Sequence, residues 1–339
     1  MRILVTGANG HLGQNLLREL KSRGHLLRAS VRSLKDPSKT KRIAALGIEA
    51  VEADLDNPKS FRAAMEGIDV VCHAAAVYAI VAHGRESEIL KASIDGVEVA
   101  MRAAKNAGVK KFVLTSSVVT LPLTKPGAPA VTEEDWACDL RAPYIRAKTE
   151  GERRAWDLSH ELDLPLVTIL PGAFGGPGFD RNTPTIDLVQ SILAGNLAFG
   201  APDINYPYCD VRDVARAHAL AVEADCHGRF IACNDEMPML AELARTMKTI
   251  DPKVAVPMWT IPGPVLGLAH WLEWGYSKVT GVPRTLAPEM MATVRGLRWN
   301  CSNARAKKLL NWRPEITLRQ SLADTIAAIK STANKARAA

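Results

Sequence analysis

Short β-branched apolar runs alternate with longer segments of helical period through about the first 170 residues, and this alternation restricts the fold more than any other feature of the chain. The runs "RILVTG", "LLRASVR", "IEAVEADL", "DVVCHAAA" and "KFVLTSS" are separated by "GQNLLRELKSRG", "KTKRIAALG", "PKSFRAAMEG" and "DGVEVAMRAAKNAG". Strands that alternate with helices pack as a parallel sheet covered on both faces. "VKKFVLTSS" is apolar on successive residues, as a strand buried on both faces must be. The expected class is therefore α/β, a doubly wound parallel sheet. From residue 172 onward the pattern loosens into Gly- and Pro-rich stretches ("PGAFGGPGFDRNTPTID", "GAPDINYPY") and a late helical region. This second, smaller region is expected to be mainly helical and to lie over the carboxyl edge of the sheet.

Composition sets outer limits. The 339 residues suffice for a large core, and 47% hydrophobic with 23% charged residues is ordinary for a globular chain. No stretch approaches the roughly 18 uninterrupted apolar residues of a membrane span. The N-terminal "MRILVTGANG" is too short an apolar run for a secretory signal, so a cytoplasmic protein is expected. Six cysteines (Cys72, Cys138, Cys209, Cys226, Cys233, Cys301) stand singly, without CxxC or HExxH spacing. They read as core thiols, with no metal site. The net charge of +7 is spread along the chain apart from "KDPSKTKR" at 35–42 and a basic tail. An anionic small molecule accounts for the first cluster without a nucleic-acid partner. A homodimer is compatible with all of this.

"VTGANGHLG" closes the first strand with glycines at 7, 10 and 13 and opens a helix. Gly7 permits the tight turn, Gly10 lets backbone N–H groups approach a pyrophosphate at the helix N-terminus, and Gly13 allows close helix–strand packing. The second strand ends about twenty residues later, where an acidic group would bind the ribose of NAD and an Arg the extra phosphate of NADP. The residue there is Arg32, followed by Lys35, Lys39 and Lys41. The expected cofactor is NADP(H) in preference to NAD(H). Residues 1–171, completed by 206–234, form the expected dinucleotide-binding domain. The substrate-binding region takes 172–205 and 235–330, and 331–339 are expected to fray.

Tyr144 and Lys148, in "YIRAK", lie one helical turn apart and share a helix face. Together with "TGANGHLG" and "LTSS", they resemble the extended short-chain dehydrogenase/reductase family, of Rossmann type. "ADLDN", "HAAA", "LPG", "CDVRDVARAHALA" and "NCSNARAKKLLNWRP" carry the resemblance from Met1 to about Ile316. Within the family, the branch of dihydroflavonol reductases, hydroxysteroid dehydrogenases and related carbonyl reductases looks most similar. The resemblance implies Ser117, Tyr144 and Lys148 as catalytic residues. It implies cofactor contacts from Thr6, Gly7, Asn9, Gly10, His11, Leu12, Gly13, Arg32, Lys39, Asp54, Leu55, Ala74, Ala75, Ala76, Thr115, Ser116, Pro171, Gly172 and Ala173, besides Tyr144 and Lys148. Val77, Val118, Phe174, Tyr206 and Tyr208 are the expected substrate contacts, and His73 is expected to be structural.

The chemistry accounts for the spacing. Bringing a phenol from its ordinary pKa of about 10 to near neutrality requires about 4 kcal/mol of preferential stabilisation of the phenolate, which a neighbouring ammonium helps to supply. Tyr144 would then donate a proton during carbonyl reduction, with Lys148 also holding the nicotinamide ribose and Ser117 hydrogen-bonding the substrate oxygen. Two departures from the family's pattern matter. Ser93 stands where an Asn is usual before the catalytic strand, and Val118 and Val119 follow Ser117 where sugar-nucleotide dehydratases carry an acidic pair. The expected activity is reduction of a ketone or aldehyde of a small, mostly apolar substrate. A nucleotide-sugar epimerase is the alternative, with Arg181 or Arg212 holding the diphosphate.

Overall fold

The computed structural model describes residues 1–54, 57–75, 86–180, 182–262, 265 and 293–338. Ten strands and helices alternate from the N-terminus: β1 (Arg2–Thr6), α1 (His11–Ser22), β2 (Leu26–Val31), α2 (Pro37–Ala45), β3 (Glu49–Glu52), α3 (Pro58–Ala64), β4 (Val70–His73), α4 (Glu86–Asn106), β5 (Lys111–Thr115) and α5 (Pro143–Leu162). They are followed by β6 (Leu166–Pro171), β7 (Ala173–Gly175), α6 (Pro184–Leu193), β8 (Ala201–Pro202), β9 (Tyr208–Asp210), α7 (Val211–Glu223) and β10 (Gly228–Ala232). After these come α8 (Leu240–Ile250), β11 (Thr260–Ile261), α9 (Ala304–Leu309) and α10 (Leu318–Ala338).

Seven strands form one parallel sheet in the order β3-β2-β1-β4-β5-β6-β10. Chain order reverses between β1 and β4, so the carboxyl ends of these two strands flank the crevice in which doubly wound sheets bind ligands. Alternation along each strand feeds two cores. Ile3, Val5, Cys72 and Val113 face one side with α1 and α7, whereas Leu4, Val71, Phe112 and Leu114 face the other with α3, α4 and α5. Most positions of the central strands β1, β4, β5 and β6 are therefore buried on one side or the other, which is why those runs read as continuous in the sequence.

Three of the helices begin at side-chain caps. Asp36 accepts from the Ser38 N–H ahead of α2, Asp210 from the Arg212 N–H ahead of α7, and Thr183 from the Ile186 N–H ahead of α6. Pro143 opens α5, its fixed φ suiting the first helical position, and this places Tyr144 in the first turn.

A smaller core forms from α6, α8 and α10 with β8 and β9, around Ile192, Leu243, Met247, Leu322 and Ile326. The "NWRP" stretch anchors the C-terminal segment to the large domain. Asn311 turns in the left-handed region, Trp312 is fully buried with Nε1 donating to the Asp213 carbonyl, and Asp213 accepts from the Glu315 and Ile316 N–H groups. Residues 331–338 continue α10 to Ala338. Their Ala- and Lys-rich composition has high helix propensity, and the packed first turns of α10 supply the nucleus. Four cysteines are buried as expected of core thiols, but Cys138 is exposed and Cys226 half-buried. Among the described residues no helix is long and apolar enough to cross a membrane.

Candidate active site

The turn after β1 passes Gly7, at φ 64°, directly under the strand end of β4. A Cβ on Gly7 would lie 2.8 Å from the Ala75 nitrogen, and one on Gly13 only 2.2 Å from the Gly7 carbonyl oxygen. No side chain caps α1 at Gly10, and the first intrahelical bond runs from the Gln14 N–H to the Gly10 carbonyl. The N–H groups of His11, Leu12 and Gly13 are left as the donors of the first turn. A cradle of bare backbone at a helix N-terminus suits a pyrophosphate, so these residues fit a dinucleotide.

Behind the cradle the polar side chains are tied to protein. Thr6 is buried, its hydroxyl accepting from the Ala75 N–H at 3.2 Å and lying 3.0 Å from His73 Nδ1. His73 is buried against Phe112, and burial followed by the Lys148 charge lowers its pKa to about 4. It is a neutral structural group, as expected. His11 donates from Nε2 to the Pro177 carbonyl and packs against Phe174 and Phe179; burial lowers its pKa to about 4. Thr115 donates to His218 Nε2 at 2.8 Å, because the other ring nitrogen donates to the Val214 carbonyl.

Arg32 is exposed just beyond the end of β2 and makes no ion pair among the described residues. Its neighbours are engaged: Lys39 pairs with Asp36 at 3.7 Å and Arg42 with Asp180 at 2.5 Å. Asp54 follows β3, its N–H held by the Ser60 hydroxyl at 2.9 Å. Asn9 and Gly10 line the turn before α1, and Ala74 and Ala75 extend β4 on the other side of the crevice. Pro171, Gly172 and Ala173 run from the end of β6 into β7, with Gly172 pressed on the Pro207 carbonyl. Leu55, Ala76 and Val77 lie outside the described residues, as does most of the aromatic stretch after Pro262.

The proposed catalytic residues come from two elements that pack together. Ser117 ends the extension of β5 and caps a single turn, Val118–Thr120, accepting from the Val119 N–H. Val119 packs with Ala142 and Ile145 at the start of α5, which brings this turn against that of Tyr144. Tyr144 is buried. Lys148, one turn later, is half-buried and walls a cavity of about 50 Å³ with His73, Ala75, Ser93, Thr115 and Ser116. Burial pushes its ammonium down to about 8, and Glu152 opposes that shift.

Two expected substrate contacts, Val118 and Tyr208, turn into the core, and the Ser116 hydroxyl, though Ser116 lines the cavity, is taken by the protein. Ser116 points into the protein and donates to Glu152 at 2.6 Å, because consecutive residues of a strand face opposite sides. Val118 is buried in a core with Leu121, Leu170 and Ile231, turned inward by the helical turn that Ser117 caps. Tyr208, on β9, is buried with its hydroxyl 2.9 Å from that of Ser321, and burial raises its pKa. Phe174 and Tyr206 remain half-buried, Phe174 over the glycine turn and Tyr206 with its hydroxyl 3.4 Å from that of Thr185. The buried carboxylate Glu152 and its partner Arg229 were not anticipated. Glu152 stands two turns from Tyr144 on the same face of α5, a spacing that could have drawn attention to it. Arg229 carries no comparable local signal.

The model of the NAD dependent epimerase/dehydratase family matches residues 3–232. Cinnamoyl-CoA reductase CAD2 of Medicago truncatula is 28% identical over 273 residues, covering 75% of this chain and 82% of its own. Dihydroflavonol 4-reductase of Callistephus chinensis is 29% identical over 272 residues, covering 75% and 74% respectively. In structure, the yeast methylglyoxal/isovaleraldehyde reductase Gre2, complexed with NADPH, superposes with a TM-score of 0.77 at 21% identity, covering 99% of this chain and 100% of its own. UDP-glucose 4-epimerase of Thermotoga maritima gives 0.76 at 18% identity, covering 98% and 100%.

Proposed function

Because this chain belongs to the NAD dependent epimerase/dehydratase family, in which a nicotinamide cofactor is bound, we propose that it is an NADP(H)-dependent oxidoreductase. It reduces a ketone or aldehyde of a small, mostly apolar substrate, or oxidises the corresponding alcohol, in the cytoplasm. The observation that carries this reading is Lys148: a half-buried ammonium, drawn down to about 8, one turn from buried Tyr144 and lining a cavity at the carboxyl ends of β4 and β5.

The N–H groups of His11, Leu12 and Gly13 hold the pyrophosphate, Arg32 the phosphate that distinguishes NADP, and Lys148 the nicotinamide ribose. When bound, the nicotinamide supplies or accepts a hydride. Tyr144 gives a proton to the carbonyl oxygen in reduction and takes it back in oxidation, while the Ser117 hydroxyl orients that oxygen. Phe174 and Tyr206 offer apolar surface to the substrate, worth about 25 cal/mol for each Å² buried. Residues 1–171 and 206–234 act as the cofactor domain, and the remainder as the substrate domain.

Reductase is favoured over epimerase by the arrangement of cations. Holding a diphosphate calls for Arg or Lys converging on the cleft, yet Arg212 is committed to Asp210 and Asp324, both at 2.7 Å, and Arg298 to Asp203 at 2.8 Å. Arg181 lies outside the described residues. The test mixes purified protein and NADPH with a panel of ketones, aldehydes and nucleotide sugars, following cofactor absorbance and product identity together. Net consumption of NADPH with aromatic or alicyclic carbonyls is expected, with no competition from nucleoside diphosphates. Sugar epimerisation without net change in cofactor would reject the proposal.

A further inference from the structure

Beneath Lys148 lies a layer of buried polar groups that the proposed reaction does not use. Glu152, the next turn of α5, is 2% exposed. Its carboxylate accepts from Ser116 Oγ at 2.6 Å, Thr168 Oγ1 at 2.7 Å and Arg229 Nε at 2.9 Å. Arg229 on β10 is itself buried. It donates further to Thr120 Oγ1 and to the Glu133 and Asp135 carbonyls, and its guanidinium lies 3.7 Å from the Trp136 ring centre. Glu152 and Lys148 face the same cavity, which is roomy and polar enough for ordered water. Gly151 lets α5 approach α4 so closely that a Cβ there would meet the Ser93 carbonyl at 3.3 Å, closing the far wall.

We propose that Glu152 is a positioning residue for the reaction: fixed by Ser116, Thr168 and Arg229, its carboxylate holds the Lys148 ammonium charged and in place beside Tyr144. The inference rests on the reading of Tyr144 and Lys148 given above. Its physical basis is that an ammonium removed from water loses its charge readily unless a fixed anion opposes the loss. The hydrogen bonds keep Glu152 from swinging away, and they tie it to the end of β5, to β6 and to β10.

The other groups around Lys148 leave Glu152 as the principal anion. On β4, His73 is neutral, its pKa near 4; behind β5, His218 is likewise near 4, and its ring nitrogens are taken by Thr115 and the Val214 carbonyl. From α4 the cavity receives Ala92, Ser93, Gly96 and Val97, none of them charged. Tyr144 shares α5, and Glu133, whose pKa burial raises, is turned to the Ile231 N–H at 3.0 Å. Arg229 pairs with Glu152 at 2.9 Å, and a cation on the far side of that carboxylate offsets part of the negative charge that Lys148 meets.

Removing Glu152 or Arg229 must therefore change Lys148 in opposite directions. The pH dependence of Lys148 acylation by a small anhydride, read by peptide mass spectrometry on the full chain, reports its protonation without any turnover. Glu152→Gln should lower the midpoint by about one pH unit or more, and Arg229→Gln should raise it. Glu152→Asp should return it close to the wild-type value. The high-pH limb of kcat should move with the midpoint. An unmoved midpoint in Glu152→Gln, or movement of both variants in one direction, would overturn the proposal as a packing effect. If Glu152→Gln does not fold, Arg229→Gln carries the test alone, and an unchanged or lowered midpoint counts against it. Full activity of Tyr144→Phe would instead remove the catalytic reading and leave the labelling result standing.

Discussion

A phenol in the first turn of α5 and an ammonium in its second are the two groups on which the proposed chemistry turns. Tyr144→Phe keeps the buried ring and removes the proton, so it should lower kcat by roughly a hundredfold or more, the scale of general acid–base help, with NADPH affinity little changed. Steady-state kinetics beside a cofactor titration check this, and near-full activity is the contrary result. Arg32 is a separate matter, exposed and unpaired among the described residues at the end of β2. Charge-assisted hydrogen bonds to a phosphate contribute about 1.5–3 kcal/mol each. Arg32→Ala should thus weaken NADPH about tenfold or more and leave NADH nearly as it was; equal losses for the two would show that Arg32 does not read the phosphate. Ser116 and Val118 flank Ser117 in sequence but face the interior, because a strand and then a tight turn send adjacent side chains to different sides.

The first helix and its turn illustrate how one element sets up the site. The packing of α1 against the β1 turn leaves no room for a methyl group at position 13, where a Cβ would stand 2.2 Å from the Gly7 carbonyl oxygen and 2.8 Å from the Ala8 Cα. Both neighbours are backbone, so the helix as a whole must shift. Gly13→Ala should then destabilise the protein by about 1–3 kcal/mol, as overpacking does, and should also weaken the cofactor, since the first-turn N–H groups move with the helix. Urea denaturation and a cofactor titration measure the two effects; a variant that matches wild type in both would mean that α1 can slide without cost. The start of α5 is set in a comparable way by Pro143, which determines where Tyr144 falls in the first turn.

Across the molecule, burial of imidazoles links stability to pH. His11, His73 and His218 come from α1, β4 and α7, and burial lowers each to about 4 from an ordinary 6.5. The unfolded chain takes up protons on these residues below about 6.5, while the folded chain does so only near 4. Their contribution is therefore fully present above 6.5 and is lost as pH falls from there toward 4. Each should account for on the order of 1–2 kcal/mol by pH 5. Unfolding free energies from urea titrations at pH 7 and pH 5 should differ by several kcal/mol, and a flat profile would contradict the burial. Lys148 has the same sign at higher pH: with its folded value near 8 against 10.5, it detracts from stability at neutrality and the deficit shrinks as pH rises from 8 to 10.5.

What the sequence determined by itself was whatever is written in short spacings. The parallel sheet follows from apolar runs such as "KFVLTSS", the bare helix N-terminus from glycines 7, 10 and 13, and the shared face of Tyr144 and Lys148 from one helical turn. Each needs only a few consecutive residues, and local geometry enforces it. The tertiary structure alone decided matters that join distant segments. Tyr208 belongs to the core because Ser321, far along the chain, meets its hydroxyl. Thr115 is occupied because His218 reaches it from α7. Glu152 faces Arg229 only because β10 lies beside β6, after the chain has passed through the substrate region and returned. A buried ion pair between residues 77 positions apart has no period to betray it, since its existence depends on the order of strands and not on the spacing of residues.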